Sequence, residues 1–152
     1  MRNKRTLICV LMLLCMMMLS ATAFAGYSSH LGGDSNFILC DGHMGTAWYV
    51  DRSSLNVQQY APPEYTIAVN VCTVPNADQG NTAISKVSTM RFFYNYNERS
   101  MFIDRNGSWR YLNPNGSWAE TGITMPAGEI AFYLAYHMRF YNCYDNAFYN
   151  RI

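Results

Sequence analysis

Asn106-Gly107 sits between "SMFIDR" and "SWRYL", and no other pair of residues restricts this chain as strongly. A two-residue type I′ turn needs positive φ at both central positions, and Asn-Gly tolerates it. With the turn placed there, the strand register follows. Asp104 falls opposite Trp109, Ile103 opposite Arg110, Phe102 opposite Tyr111 and Met101 opposite Leu112. The Phe102–Tyr111 and Asp104–Trp109 pairs share one face, which suits cross-strand aromatic packing. A second Asn-Gly-Ser-Trp, Asn115–Trp118, follows Asn113-Pro114 and is expected to turn the chain out of that strand. Both triplets are also formal N-glycosylation acceptors, Asn106-Gly107-Ser108 and Asn115-Gly116-Ser117. Two Asn-Gly turns account for the same letters without that chemistry.

Elsewhere the period is also two. In "EYTIAVNVCTV", Tyr65, Ile67, Val69 and Val71 alternate with Thr66, Ala68, Asn70 and Cys72, a half-buried strand whose parity sets Cys72 opposite the Ile-Val stripe. In "VSTMRFFYNYN", Met90, Phe92, Tyr94 and Tyr96 take one face and Arg91, Phe93 and Asn95 the other. "AWYVD" is a short aromatic stretch before a turn region at Ser53-Ser54, and "PNADQGNTAIS" is a polar loop. The period changes after Pro126, which suits a first helical turn. Ile130, Tyr133, Leu134, His137, Met138 and Tyr141 follow helical spacing and predict one helix of about ten to fourteen residues, with Cys143 just past its end. The expected class is α+β: an antiparallel sheet of about five to six strands with one C-terminal helix packed on one face.

The chain opens with Arg2, Lys4 and Arg5, an apolar run from Leu7 to Leu19, and Ala23-Phe24-Ala25. This is the pattern of a secretory signal peptide over residues 1–25, with cleavage after Ala25. The apolar run falls short of the roughly 20 residues needed to span a bilayer. No Cys stands at the cleavage point, which argues against a lipoprotein anchor. The expected protein is therefore exported: periplasmic, at the cell surface or secreted. Removing 25 of 152 residues leaves 127, one domain over 26–143 with a short tail over 144–152. The eleven basic residues fall to eight against ten acidic ones, a net charge of −2. Those eight are scattered from Arg52 to Arg151, with none of the clustering that nucleic-acid binding requires. No second stretch is long and apolar enough to span a membrane.

Chemistry-bearing residues are few. Cys40 and His43 form one Cys-x-x-His pair, and no second pair stands at zinc spacing, so neither metal nor cofactor is expected. His43, with Asp41 or Cys40 nearby, is the one candidate for catalysis. A nucleophile needs a base in reach and a group to orient it, and the sequence assembles no such set. His137 falls on the apolar stripe, where a core histidine is expected. The chain is read as a non-enzyme.

Two resemblances add to this. "NGSWRYLNPNGSWAETG" resembles one repeat of the choline- and glucan-binding cell-wall modules, with Trp109, Tyr111, Leu112, Gly116, Thr121 and Gly122 matching in order. It implies a small-ligand or glycan surface on the hairpin 101–118, using Trp109, Tyr111 and Trp118. Aromatics packing a thin sheet against a helix explain the same residues.

Most of the chain from Trp48 to Cys143 resembles the surface-adhesin protein E family of small exported bacterial proteins. "AWYVDRSSL" is similar to its opening strand, "EYTIAVNVCTV" to the next, "VSTMRFFYNYNERSMFIDRNG" to the central pair and "MPAGEIAFYLAYHMRFYNC" to the closing helix. The resemblance implies a sheet with a helix laid on one face, a disulfide, and a binding role toward host matrix proteins or envelope proteins. The chain lacks the family's central-strand cysteine. Cys143 is then left with Cys40 or Cys72, or with no partner. If the Ile67–Val71 stripe meets the helix, Cys72 points away, which favours Cys40–Cys143. That bridge would close a loop of about a hundred residues, worth up to roughly 4 to 5 kcal/mol.

Overall fold

A computed structural model describes residues 26–152, and the expected leader lies outside the described residues. Six strands pair antiparallel in strict chain order: β1 (Phe37–His43), β2 (Thr46–Ala61), β3 (Glu64–Val74), β4 (Lys86–Asn95), β5 (Ser100–Arg105) and β6 (Ser108–Leu112). Three helices follow: α1 (Trp118–Thr121), α2 (Thr124–Tyr136) and α3 (Asn146–Asn150). The α+β class and the strand count are as expected. Among the described residues no helix is long and apolar enough to cross a membrane.

The hairpin register is the one the turn dictates. Asp104 pairs with Trp109, Phe102 with Tyr111, Ile103 with Arg110 and Met101 with Leu112, and Asn106 and Gly107 take φ of 56° and 87°. Alternation then sorts the sheet into two faces. Ile67, Val69, Val71, Phe92, Tyr94, Met101 and Ile103 are buried against Ala127, Ile130, Ala131 and Phe132 of α2. The opposite face carries a smaller core at one end only, where Leu39, Tyr49 and Val74 meet Leu31 of the N-terminal segment. Over β4–β6 that face is open.

The structure corrects two expectations. Ser53-Ser54 does not end a strand; β2 runs through it for 16 residues. The turn chemistry survives as an irregularity in the β2–β3 register between Asp51 and Asn56. There Asp51 accepts from the Ser53 backbone and hydroxyl at 3.0 and 2.7 Å, and Ser54 Oγ accepts the Asn70 N–H at 2.7 Å.

The main helix stops at Tyr136, with His137 capping it in the left-handed region at φ 53°. Met138 and Tyr141 therefore lie beyond it, and Cys143 is seven residues past its end. The cause is Glu129, fully buried on α2, whose carboxylate accepts the backbone N–H groups of Phe140 at 2.8 Å and Tyr141 at 3.0 Å. These bonds fold the chain back over the helix and bury Phe140 beside Tyr94 and Phe132. Thr124 through Phe132 of α2 are all buried.

Residues 144–152 also pack onto the domain. Asp145 caps α3 by accepting the Phe148 N–H at 2.9 Å, and Phe148 and Tyr149 are buried in the main core.

Candidate functional site

On the open face, one row of side chains crosses the sheet. Gln59, Thr66, Phe93, Phe102 and Tyr111 are successive partners on β2, β3, β4, β5 and β6. The Phe93 and Phe102 rings lie 5.9 Å apart, and Phe102 and Tyr111 5.6 Å apart. Trp109, the next outward residue of β6, packs 5.8 Å from Phe93. These separations are those of offset or tilted aromatic pairs, so the four rings form one fixed surface. Trp109 and Tyr111 remain 42% and 48% exposed, so the outer ring faces meet solvent.

Arg91 holds one flank of this surface. Its guanidinium lies 5.0 Å from the Trp109 ring centroid, and its Nη1 pairs with Asp104 at 3.2 Å. Its Nε donates to Gln58 at 2.6 Å. Asp104 also accepts the Gly107 N–H at 2.7 Å, which ties the turn to the same ion pair. At the other flank, Thr66 donates to Gln59 at 3.2 Å. The result is a rigid aromatic strip flanked by polar groups.

The structure thus brings Trp109 and Tyr111 together but leaves Trp118 apart. Trp118 opens α1 and lines a cleft with Val71, Met90 and Ile103, all of them helix-side residues. Its indole N–H donates to Asp41 at 2.7 Å, and its ring lies 4.3 Å from that of His43. His43 and Asp41 do meet, but around an indole. Alternation could have revealed Phe93 and Phe102 as partners of Trp109, because the register places them in one row. Arg91 gave no signal beyond its parity.

Cys40 is no activated nucleophile. Its thiol donates to the Ile123 carbonyl at 3.4 Å, and burial, then the neighbouring Asp41 charge, push it far above its ordinary pKa. The thiolate, not the thiol, is the reactive form. Among the described residues, no three His, Cys, Asp or Glu side chains gather as metal ligands.

The expected Cys40–Cys143 bridge is not formed; Cys40, Cys72 and Cys143 are all free thiols. Cys40 lies on the helix side and shares a cavity of about 400 Å³ with Cys143. Yet its sulfur is turned to Ile123, and Cys143 is carried outward by the returning segment. Cys72 pairs with Tyr49 on the opposite face, where its parity puts it. No family model, no curated protein and no solved structure matches the chain, so the aromatic strip must be read from its own chemistry.

Proposed function

We propose that this chain is an exported, non-enzymatic binding protein of the bacterial envelope, adhesin-like in role, and that it holds glycan chains on the aromatic strip. The supporting observation is the row Phe93–Phe102–Tyr111 with Trp109, half-exposed and fixed by its neighbours. Sugar rings present C–H faces that pack on aromatic rings, and their hydroxyls need polar groups at the edges. Arg91, Gln58 and Gln59 supply these. Because the strip crosses three strands, it suits an extended chain. Such a glycan could belong to the cell wall or be carried by a host matrix protein.

The test is a binding panel: peptidoglycan, a neutral β-linked oligosaccharide, choline resin, and a matrix glycoprotein before and after deglycosylation. Binding to one glycan is expected to fall about tenfold in Trp109→Ala and in Tyr111→Ala, the effect of removing one stacked ring. The melting temperature should stay near wild type, since both rings are half-exposed. Retained binding in the Trp109→Ala, Tyr111→Ala double variant would remove the strip as the site. Undiminished binding to the deglycosylated matrix protein would replace the glycan by a protein surface.

A further inference from the structure

The eight basic side chains among the described residues divide into two sets. Five have protein partners. Arg91 pairs with Asp104, Arg52 donates to the Ile152 carbonyl, and Arg99 donates to the Phe140 carbonyl at 2.7 Å. Arg139 donates to Asn142 and Asn146 at 3.0 and 2.8 Å, and Arg151 lies over the Phe148 ring at 4.6 Å. Lys86, Arg105 and Arg110 have no hydrogen-bond, ion-pair or ring partner among the described residues, although they come from three different strands. All three line a single cleft of about 550 Å³ on the helix side of the sheet.

Such a coincidence concentrates positive charge in a chain whose described part is net negative. Two carboxylates also border the cleft, against the three cations. Asp104 is bound by Arg91 and by the Gly107 N–H. Glu120 has no side-chain hydrogen-bond or ion-pair partner among the described residues, and one free carboxylate against three free cations leaves the lining net positive.

The walls are not purely polar. Trp48, Trp118, Met90 and Ile103 contribute apolar surface, and Ser88 and Thr89 contribute hydroxyls. Trp118 is set in place by its hydrogen bond to Asp41 and its contact with His43. Three unpartnered cations, two indoles and hydroxyls in a cleft of small-molecule size define a ligand class. It carries negative charge on a ring that has an apolar face.

We propose that this cleft binds an acidic saccharide unit, its sulfate or carboxylate groups held by Lys86, Arg105 and Arg110 and its ring packed against Trp48 and Trp118. Arginine suits this role because its planar fork engages oxyanions with two parallel N–H bonds. The site lies across the sheet from the aromatic strip, and its fate is independent of that strip.

The test is calorimetric titration of the folded protein with four probes: a sulfated uronate disaccharide, its desulfated counterpart, a neutral disaccharide and inorganic sulfate. The sulfated uronate is expected to bind most tightly, the neutral sugar at least about tenfold more weakly, and affinity should fall as salt rises. Arg105→Ala and Arg110→Ala should each cost about tenfold, consistent with loss of one charge-assisted bond. Arg110→Lys should recover part of that loss, and Trp109→Ala should change nothing. All three basic residues are exposed, so these variants should melt with wild type. Equal affinity for the neutral disaccharide, or unchanged affinity in the two alanine variants, would overturn the proposal. Inorganic sulfate binding as tightly as the disaccharides would overturn the saccharide assignment.

Discussion

Glu129 is the residue that ties the C-terminal segment, residues 137–152, to α2. Besides the Phe140 and Tyr141 amides, its carboxylate accepts the Asn142 N–H at 3.4 Å and the Tyr149 hydroxyl at 2.6 Å. A buried carboxylate is costly unless its lone pairs are satisfied, and here four donors converge on it. Glu129→Ala would leave those donors unpaired inside the core. The expected loss is about 3 to 5 kcal/mol, read by urea denaturation. Glu129→Ala at wild-type stability would mean that the returning segment is held by its aromatic rings alone. Sequence reading missed this hub, because a lone Glu in "AGEIAFYL" has the usual appearance of a solvent-facing helix residue. The thiols give a second prediction at this scale. Cys143 is exposed while Cys40 and Cys72 are buried. In the folded, reduced protein a thiol reagent should label Cys143 first and the other two only on unfolding, as peptide mass mapping would show. A Cys40–Cys143 peptide from the oxidised protein would instead establish the bridge that the sequence suggested.

Among the elements, α2 lies tightly against the sheet at Gly128. A Cβ there would overlap Met101 Sδ and lie 3.1 Å from the Phe92 ring, and the Tyr94 hydroxyl donates to the Gly128 carbonyl at 2.8 Å. Met101 and Phe92 are fully buried, so neither can move aside freely. Gly128→Ala raises helix propensity, yet it should destabilise the fold by about 1 to 3 kcal/mol, the usual effect of overpacking. A gain in melting temperature would show that helix and sheet can separate at little cost. The elements also show what a sequence can disclose. The β5–β6 register was legible because Asn106-Gly107 admits one turn type, and the two faces of β3 and β4 because alternation has no other reading. The end of α2 was not legible. Met138 and Tyr141 continue the helical spacing, but they serve a returning segment whose direction is set by Glu129, eleven and more residues away. The cationic cleft was hidden for a related reason: Lys86, Arg105 and Arg110 are scattered in sequence, and only the pairing of β3 through β6 gathers them.

At the scale of the whole molecule, the core is built from tyrosines as well as hydrocarbon, and this gives stability a sign with pH. Burial, then the Glu129 charge, hold the Tyr94 phenol well above its ordinary value of 10.0. Burial, then the hydrogen bond to Glu129, do the same for Tyr149. Tyr141 and Tyr144 are raised too, burial being the first cause in each. A phenol with a raised pKa keeps its proton in the folded state when the unfolded chain has already lost it. The unfolded state then binds fewer protons, and stability falls as pH increases. The contribution is complete below about pH 10, the unfolded value, and is lost progressively above it toward the folded values. For the fully enclosed Tyr94 phenol the slope is about 1.4 kcal/mol per pH unit. The thiol of Cys40, raised from 9.0 by burial, adds to the decline from about one unit lower. Urea midpoints measured from neutral pH upward should therefore be level, then drop steeply beyond pH 10. The tyrosinate absorbance of the buried phenols should rise in one cooperative step together with loss of the fold. Gradual, complete tyrosine ionisation in a protein that keeps its near-ultraviolet dichroism would show that water reaches these phenols and that α2 and the returning segment do not seal the core.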